Sequence, residues 1–172
     1  MFFKPKSSED NYRESLRQFE DKFNEFQEAC KHYSFWINRA EEAANSNDNL
    51  ALIKFINRDF NHVVRSIAGW QEDYKNKVFA LNTAFCYLQF KYLDLKSNRP
   101  IFMTNQKNWV VYLSSFALAK ESMQTLDFCK LPGRANKVLS LLYKHLTEKL
   151  PADEAVSCQA DSILDFIRFD QD

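Results

Sequence analysis

Apolar side chains recur at Tyr12, Leu16, Phe19, Phe23, Phe26, Cys30, Tyr33, Ile37, Ala40 and Ala44, in alternating steps of four and three without a miss. That spacing puts all of them on one stripe of a single helix. No Gly or Pro interrupts the run, so the pattern predicts one helix over residues 8–45, on the order of 55 Å long. Residues 1–7 read as an arm. Ser8 is the expected N-cap, and Glu9 and Asp10 follow in the first turn, where the helix dipole favours acidic groups.

The polar run Asn45-Ser46-Asn47-Asp48-Asn49 reads as a turn, because short polar side chains compete for backbone hydrogen bonds. A second stripe follows through Ile53, Ile56, Phe60, Val63, Ile67, Trp70 and Tyr74. One extra step of four, to Val78, marks a stutter beside Gly69 and the polar run 71–77. With no Pro there, the helix is expected to continue through it to Leu95. So short a link forces the two long helices antiparallel. Counting outward from the turn pairs Tyr12 with Leu81. Residues 78–95 are apolar nearly all round (Phe79, Leu81, Phe85, Tyr87, Leu88, Phe90, Tyr92, Leu93 and Leu95 among them), which predicts burial on all sides.

Lys96-Ser97-Asn98-Arg99-Pro100 reads as the end of that helix, with Thr104 capping the next to about 126–130. Leu131-Pro132-Gly133 reads as a break before a helix over 134–149. Pro151 breaks again before a last helix from about 153 to 169. The expected fold is all-α: a helical bundle built on a long antiparallel helical hairpin (8–95), with about three shorter C-terminal helices (104–169), in a single domain spanning 1–172. By this count the C-terminal helices gather where the second helix is apolar all round, and the turn end holds two helices only. Phe35, Trp36 and Phe55 then lie off both seams near that end, as an aromatic patch able to bind a protein partner.

Composition supports the helical reading. Two glycines and four prolines in 172 residues leave little material for turns, and 16 Phe supply a bulky core. Charge narrows the partners. With 23 basic and 23 acidic residues, the chain has no overall attraction to nucleic acid or to an acidic membrane surface. Cys30, Cys86, Cys129 and Cys158 have neither redox nor metal spacing, and read as buried reduced thiols of a cytoplasmic protein. The N-terminus lacks a secretory signal pattern, so an extracellular location would need export without a cleaved signal peptide.

Candidate chemistry is sparse. Asp59-x-x-His62 occurs once, where a dinuclear carboxylate bundle needs Glu-x-x-His twice. No cofactor or metal is expected, nor is a phosphate-cradling Gly-rich loop. Arg58-Asp59-Phe60-Asn61-His62 falls one residue short of the Arg-polar-x3-His pattern of HEPN-type helical ribonucleases. A small helical enzyme using Arg58 and His62 is therefore the alternative from another class. A third reading is a nucleic-acid or lipid-surface binder through a basic loop, 91–107, carrying Lys91, Lys96, Arg99 and Lys107. His145, beside Leu142 and Leu146, reads as structural. The leading expectation is a non-enzymatic protein–protein interaction module, an adaptor, binding subunit or effector, with homodimer formation as one version of it.

Overall fold

A computed structural model describes residues 7–102 and 106–148. Among them it contains five helices: α1 (Ser8–Ala44), α2 (Asn49–Arg58), α3 (Phe60–Phe102), α4 (Gln106–Thr125) and α5 (Lys130–Glu148). The architecture is an all-α bundle, with no strand among the described residues. The last predicted helix (153–169), Thr104 and Cys158 lie outside them.

Every position of the first stripe is buried or half-buried, from Tyr12 to Ala44. The cap of α1 is one residue earlier than expected. Ser7 Oγ accepts from the Asp10 amide at 3.1 Å, and Ser8 instead donates to Asp94 Oδ2 at 3.1 Å. At the far end the turn forms where the polar run predicts it. Asp48 caps α2, its carboxylate accepting from the Leu50 amide at 3.0 Å.

The expected second helix is divided, and not at the stutter. α3 runs unbroken through Gly69–Lys77, while the chain breaks at Asp59. Asp59 closes α2 by donating its amide to Phe55 O at 2.8 Å, and it opens α3 by accepting from the Val63 amide at 2.9 Å. Gly69 sits in the resulting helix interior with nothing within 4 Å of the place a Cβ would occupy, and its φ is not positive. Gly69→Ala is therefore expected to raise the unfolding free energy by about 0.5–1 kcal/mol, read from the urea midpoint. A loss would mean the helix is held distorted there.

Two other boundaries move. α3 passes Lys96 and Pro100 to end at Phe102. The polar run does not stop it, and Asn98 Nδ2 donates to Asp94 O (2.9 Å) one turn back in the same helix. α5 begins at Lys130, ahead of the expected break, so Pro132 lies in its first turn. A first-turn amide has no intrahelical acceptor, so Pro loses nothing by lacking it.

Contacts divide the chain into two compact units: Met1–Gln27 with Asn76–Asp127, and Glu28–Lys75 with Phe128–Asp172. The first unit packs the opening turns of α1 against the latter part of α3 and against α4. Its centre is Tyr12, fully buried, with ring centroids 5.2 Å from Tyr112 and 6.0 Å from Tyr92. The Tyr12 hydroxyl donates to Tyr112 O at 3.0 Å and lies 2.6 Å from Ser115 Oγ. Tyr92 stacks on Phe116 (4.1 Å) and on Trp109 (6.1 Å). Burial pushes the hydroxyls of Tyr12, Tyr92 and Tyr112 above the ordinary tyrosine value, and at Tyr112 the neighbouring Glu9 carboxylate adds to the rise. Phe19 meets Phe85 at 5.8 Å. The two helices are thus antiparallel here, but Tyr12 faces Tyr92 and not Leu81. The reversal consumes more chain than the polar turn alone, because α2 and the Asp59 break belong to it.

The second unit combines the rest of α1, α2, the start of α3, and α5. Tyr33, fully buried, donates to Gln71 Oε1 at 3.2 Å and packs on Tyr74 (5.4 Å). The turn end is not a two-helix arm, because α5 packs there. Its His145, 8% exposed, lies with Nε2 2.6 Å from the Ala44 carbonyl at the end of α1. Its Arg134 donates to Glu41 Oε1 (3.0 Å) and to Asn38 Oδ1 (2.6 Å). His145 is buried, as its apolar neighbours predict.

Candidate functional site

The largest departure from expectation is on α3. Residues 78–95 are not buried on all sides. One row, Leu81, Phe85, Leu88, Tyr92 and Leu95, turns inward and is buried or half-buried. A second row, Phe79, Thr83, Cys86, Phe90, Leu93 and Ser97, repeats the same alternation of four and three residues, and every member is exposed. At about 100° per residue, an offset of two residues places the second row almost opposite the first. Phe79 is 75% exposed, Phe90 74% and Leu93 59%. Tyr87 adjoins the row, with Lys91 Nζ 5.1 Å from its ring centroid.

Of the eleven large apolar side chains exposed among the described residues, eight belong to the first unit: Phe79, Tyr87, Phe90 and Leu93 on α3, and Val110, Val111, Leu113 and Leu118 on α4. Single exposed apolar residues need no explanation, but a periodic row on one helix does. A groove of about 670 Å³ runs beside the row's N-terminal part. It is walled by Phe79, Thr83 and Tyr87 of α3 and by Asp21, Lys22 and Glu25 of α1. Lys22 and Glu25 pair there at 3.2 Å.

The expected aromatic patch lies in the second unit and is only partly assembled. Phe35 is 55% exposed and meets Trp36 edge-on at 5.2 Å. Trp36 is half-buried between the His62 ring (5.0 Å) and the Arg39 guanidinium (5.6 Å). Phe55 is half-buried, with its ring 6.3 Å from Phe60. Trp70 stacks on His32 at 4.4 Å.

Arg58 and His62 do not share a helix. Arg58 is the last residue of α2, and His62 lies in the first turn of α3. The basic stretch 91–107 is not a loop: Lys91 and Lys96 are on α3, and Lys107 is on α4. Cys86 and Cys129 are exposed and Cys30 is half-buried, contrary to the expectation of buried thiols. Burial pushes the Cys30 thiol up. No group of three His, Cys, Asp or Glu among the described residues could hold a metal ion. No helix among them is long and apolar enough to cross a membrane.

The sequence carried the signal for the α3 row, since its spacing is as regular as that of the buried row. Periodicity shows two regularly spaced rows, the second interrupted by Thr83 and Ser97, but not which of them is covered. No family model, curated protein or solved structure matches the chain.

Proposed function

We propose that this chain is a protein–protein interaction module that docks a partner on the outward row of α3. The carrying observation is the heptad-spaced set Phe79, Cys86, Phe90 and Leu93, exposed on a helix whose opposite side is already packed. A helical face with apolar residues at these steps matches the surface of a partner helix. The smaller Phe35–Trp36 pair in the second unit is the secondary contact candidate.

Phe79→Asp combined with Phe90→Asp tests the reading. The variant should keep its helical circular dichroism and its melting temperature, because neither side chain supports the core. It should bind less of a dye for exposed apolar surface, and it should lose the partner that wild type retains. Phe35→Asp serves as the comparison. Retention of the partner by the α3 double variant, with loss in Phe35→Asp, would move the docking site to the second unit. Retention by both would end the proposal.

A further inference from the structure

The outward row of α3 also specifies its occupant. Resting on the reading of that row as a docking surface, we infer that it pairs with the same row of a second copy of this chain, antiparallel and about a two-fold axis.

Large and small members occur in a definite order: Phe79, Thr83, Cys86, Phe90, Leu93, Ser97. When two such rows run antiparallel in knobs-into-holes register, each layer joins one position of the first kind with one of the second. Phe79 then faces Ser97 of the second copy, Thr83 faces Leu93, and Cys86 faces Phe90. The two-fold axis repeats each layer. Every bulky side chain thus meets a small one, which is what close packing across a narrow interface needs. A parallel pair would set Phe79 on Phe79 and Phe90 on Phe90, with Thr83 on Thr83 and Ser97 on Ser97 between and beyond them. Cys86 on Cys86 and Leu93 on Leu93 complete the set, so the Phe79, Phe90 and Leu93 layers are crowded while the Thr83, Cys86 and Ser97 layers are underfilled.

The flanks are compatible. Antiparallel pairing brings Ala80 beside Asp94, Asn82 beside Lys96, Tyr87 beside Tyr87 and Gln89 beside Gln89, so no like charges face each other. The chain's net charge of zero adds no repulsion between copies.

Area is the remaining requirement. Phe79 and Phe90, each about three-quarters exposed, offer roughly 150 Å² apiece. With Leu93, Tyr87 and the flanking stems the face amounts to roughly 600 Å² per copy, or about 1,200 Å² per dimer. That is the lower edge of a specific interface. The dimer is accordingly a reversible one that dissociates on dilution.

The test is sedimentation of the full chain under reducing conditions, over roughly 1 to 100 µM. Wild type should shift from monomer to dimer across the range, and Phe90→Asp should raise the dimer dissociation constant about 100-fold or more. Orientation is read by cross-linking. In a Cys86→Ser, Cys129→Ser background, a mixture of Thr83→Cys chains and Leu93→Cys chains should give a disulfide-linked dimer on oxidation, and neither chain alone should, since the antiparallel layer joins 83 of one copy to 93 of the other. A disulfide-linked dimer formed by Thr83→Cys chains alone or by Leu93→Cys chains alone would show a parallel pair and overturn the inference. So would a dimer indifferent to Phe90→Asp, or a monomer at every concentration. A monomer that still loses a partner in the Phe79→Asp, Phe90→Asp variant would overturn self-pairing alone and leave the docking reading intact.

Discussion

Replacing Tyr12 by Ala should cost about 3–5 kcal/mol, the range for a large buried aromatic residue whose site cannot collapse. Tyr12 is fully buried, touches the rings of Tyr92 and Tyr112, and bonds the Tyr112 carbonyl and Ser115. Its loss removes the piece that α1, α3 and α4 share in the first unit. Tyr12→Phe keeps the ring and removes only the hydroxyl. Ser115 retains its own bond to Tyr112 O at 3.0 Å, so the expected cost is about 1–2 kcal/mol. Urea unfolding followed by circular dichroism separates the two. An Ala variant no worse than the Phe variant would show that the ring cluster is not the centre of that unit.

The same residues set an alkaline limit. Their folded-state pKa values are raised by burial above the ordinary tyrosine value, so the folded chain holds protons that the unfolded chain releases. The stabilisation is fully present below about pH 10, and it is lost as pH rises through the folded values. Wild-type stability should therefore fall above about pH 10. The fall should be smaller in Tyr12→Phe, which has one such hydroxyl fewer.

His145→Asp should be comparably severe in the second unit, at about 3–5 kcal/mol. His145 donates Nε2–H to the last carbonyl of α1 from a position that is 8% exposed. A carboxylate there cannot donate; it faces a carbonyl oxygen and is desolvated. His145→Leu leaves the carbonyl without its donor and should cost about 1–3 kcal/mol. His145→Gln, which can present an amide N–H, should recover part of that. A ranking in which Gln is no better than Leu would show that the histidine acts by volume alone. Raising pH should not relieve the Asp variant, whereas acidification that protonates the new carboxyl should.

How much of this was legible in the residues depends on what each pattern could encode. The α1 stripe was readable throughout, because a single narrow row has only one side to bury. The turn at 45–49 was readable because its side chains bond the backbone locally, as Asp48 does. The break at Asp59 was not, since neither Gly nor Pro marks it and the stripe continues across it from Ile56 to Phe60, both buried. That missed break also spoiled the pairing count, and with it the expectation that the turn end lacks a third helix. Pro132 reads as a stop in the sequence, although Pro is equally a first-turn residue. The candidate interface suffered most. Residues 78–95 carry two rows of identical spacing, one wholly apolar and one apolar but for Thr83, and a one-dimensional pattern does not say which of them is covered. Cover comes from tertiary partners, here α1 and α4, which reach the Leu81 row and leave the Phe79 row open.

The three tryptophans give this chain its own optical labels. Trp109 belongs to the first unit, where it stacks on Tyr92. Trp36 and Trp70 belong to the second, each against a histidine ring. In a chain with Trp36→Phe and Trp70→Phe the tryptophan emission therefore comes from the first unit alone, and in one with Trp109→Phe from the second alone. Fluorescence from these two chains assigns a melting transition, a denaturant midpoint or a partner's arrival to one unit without any added dye.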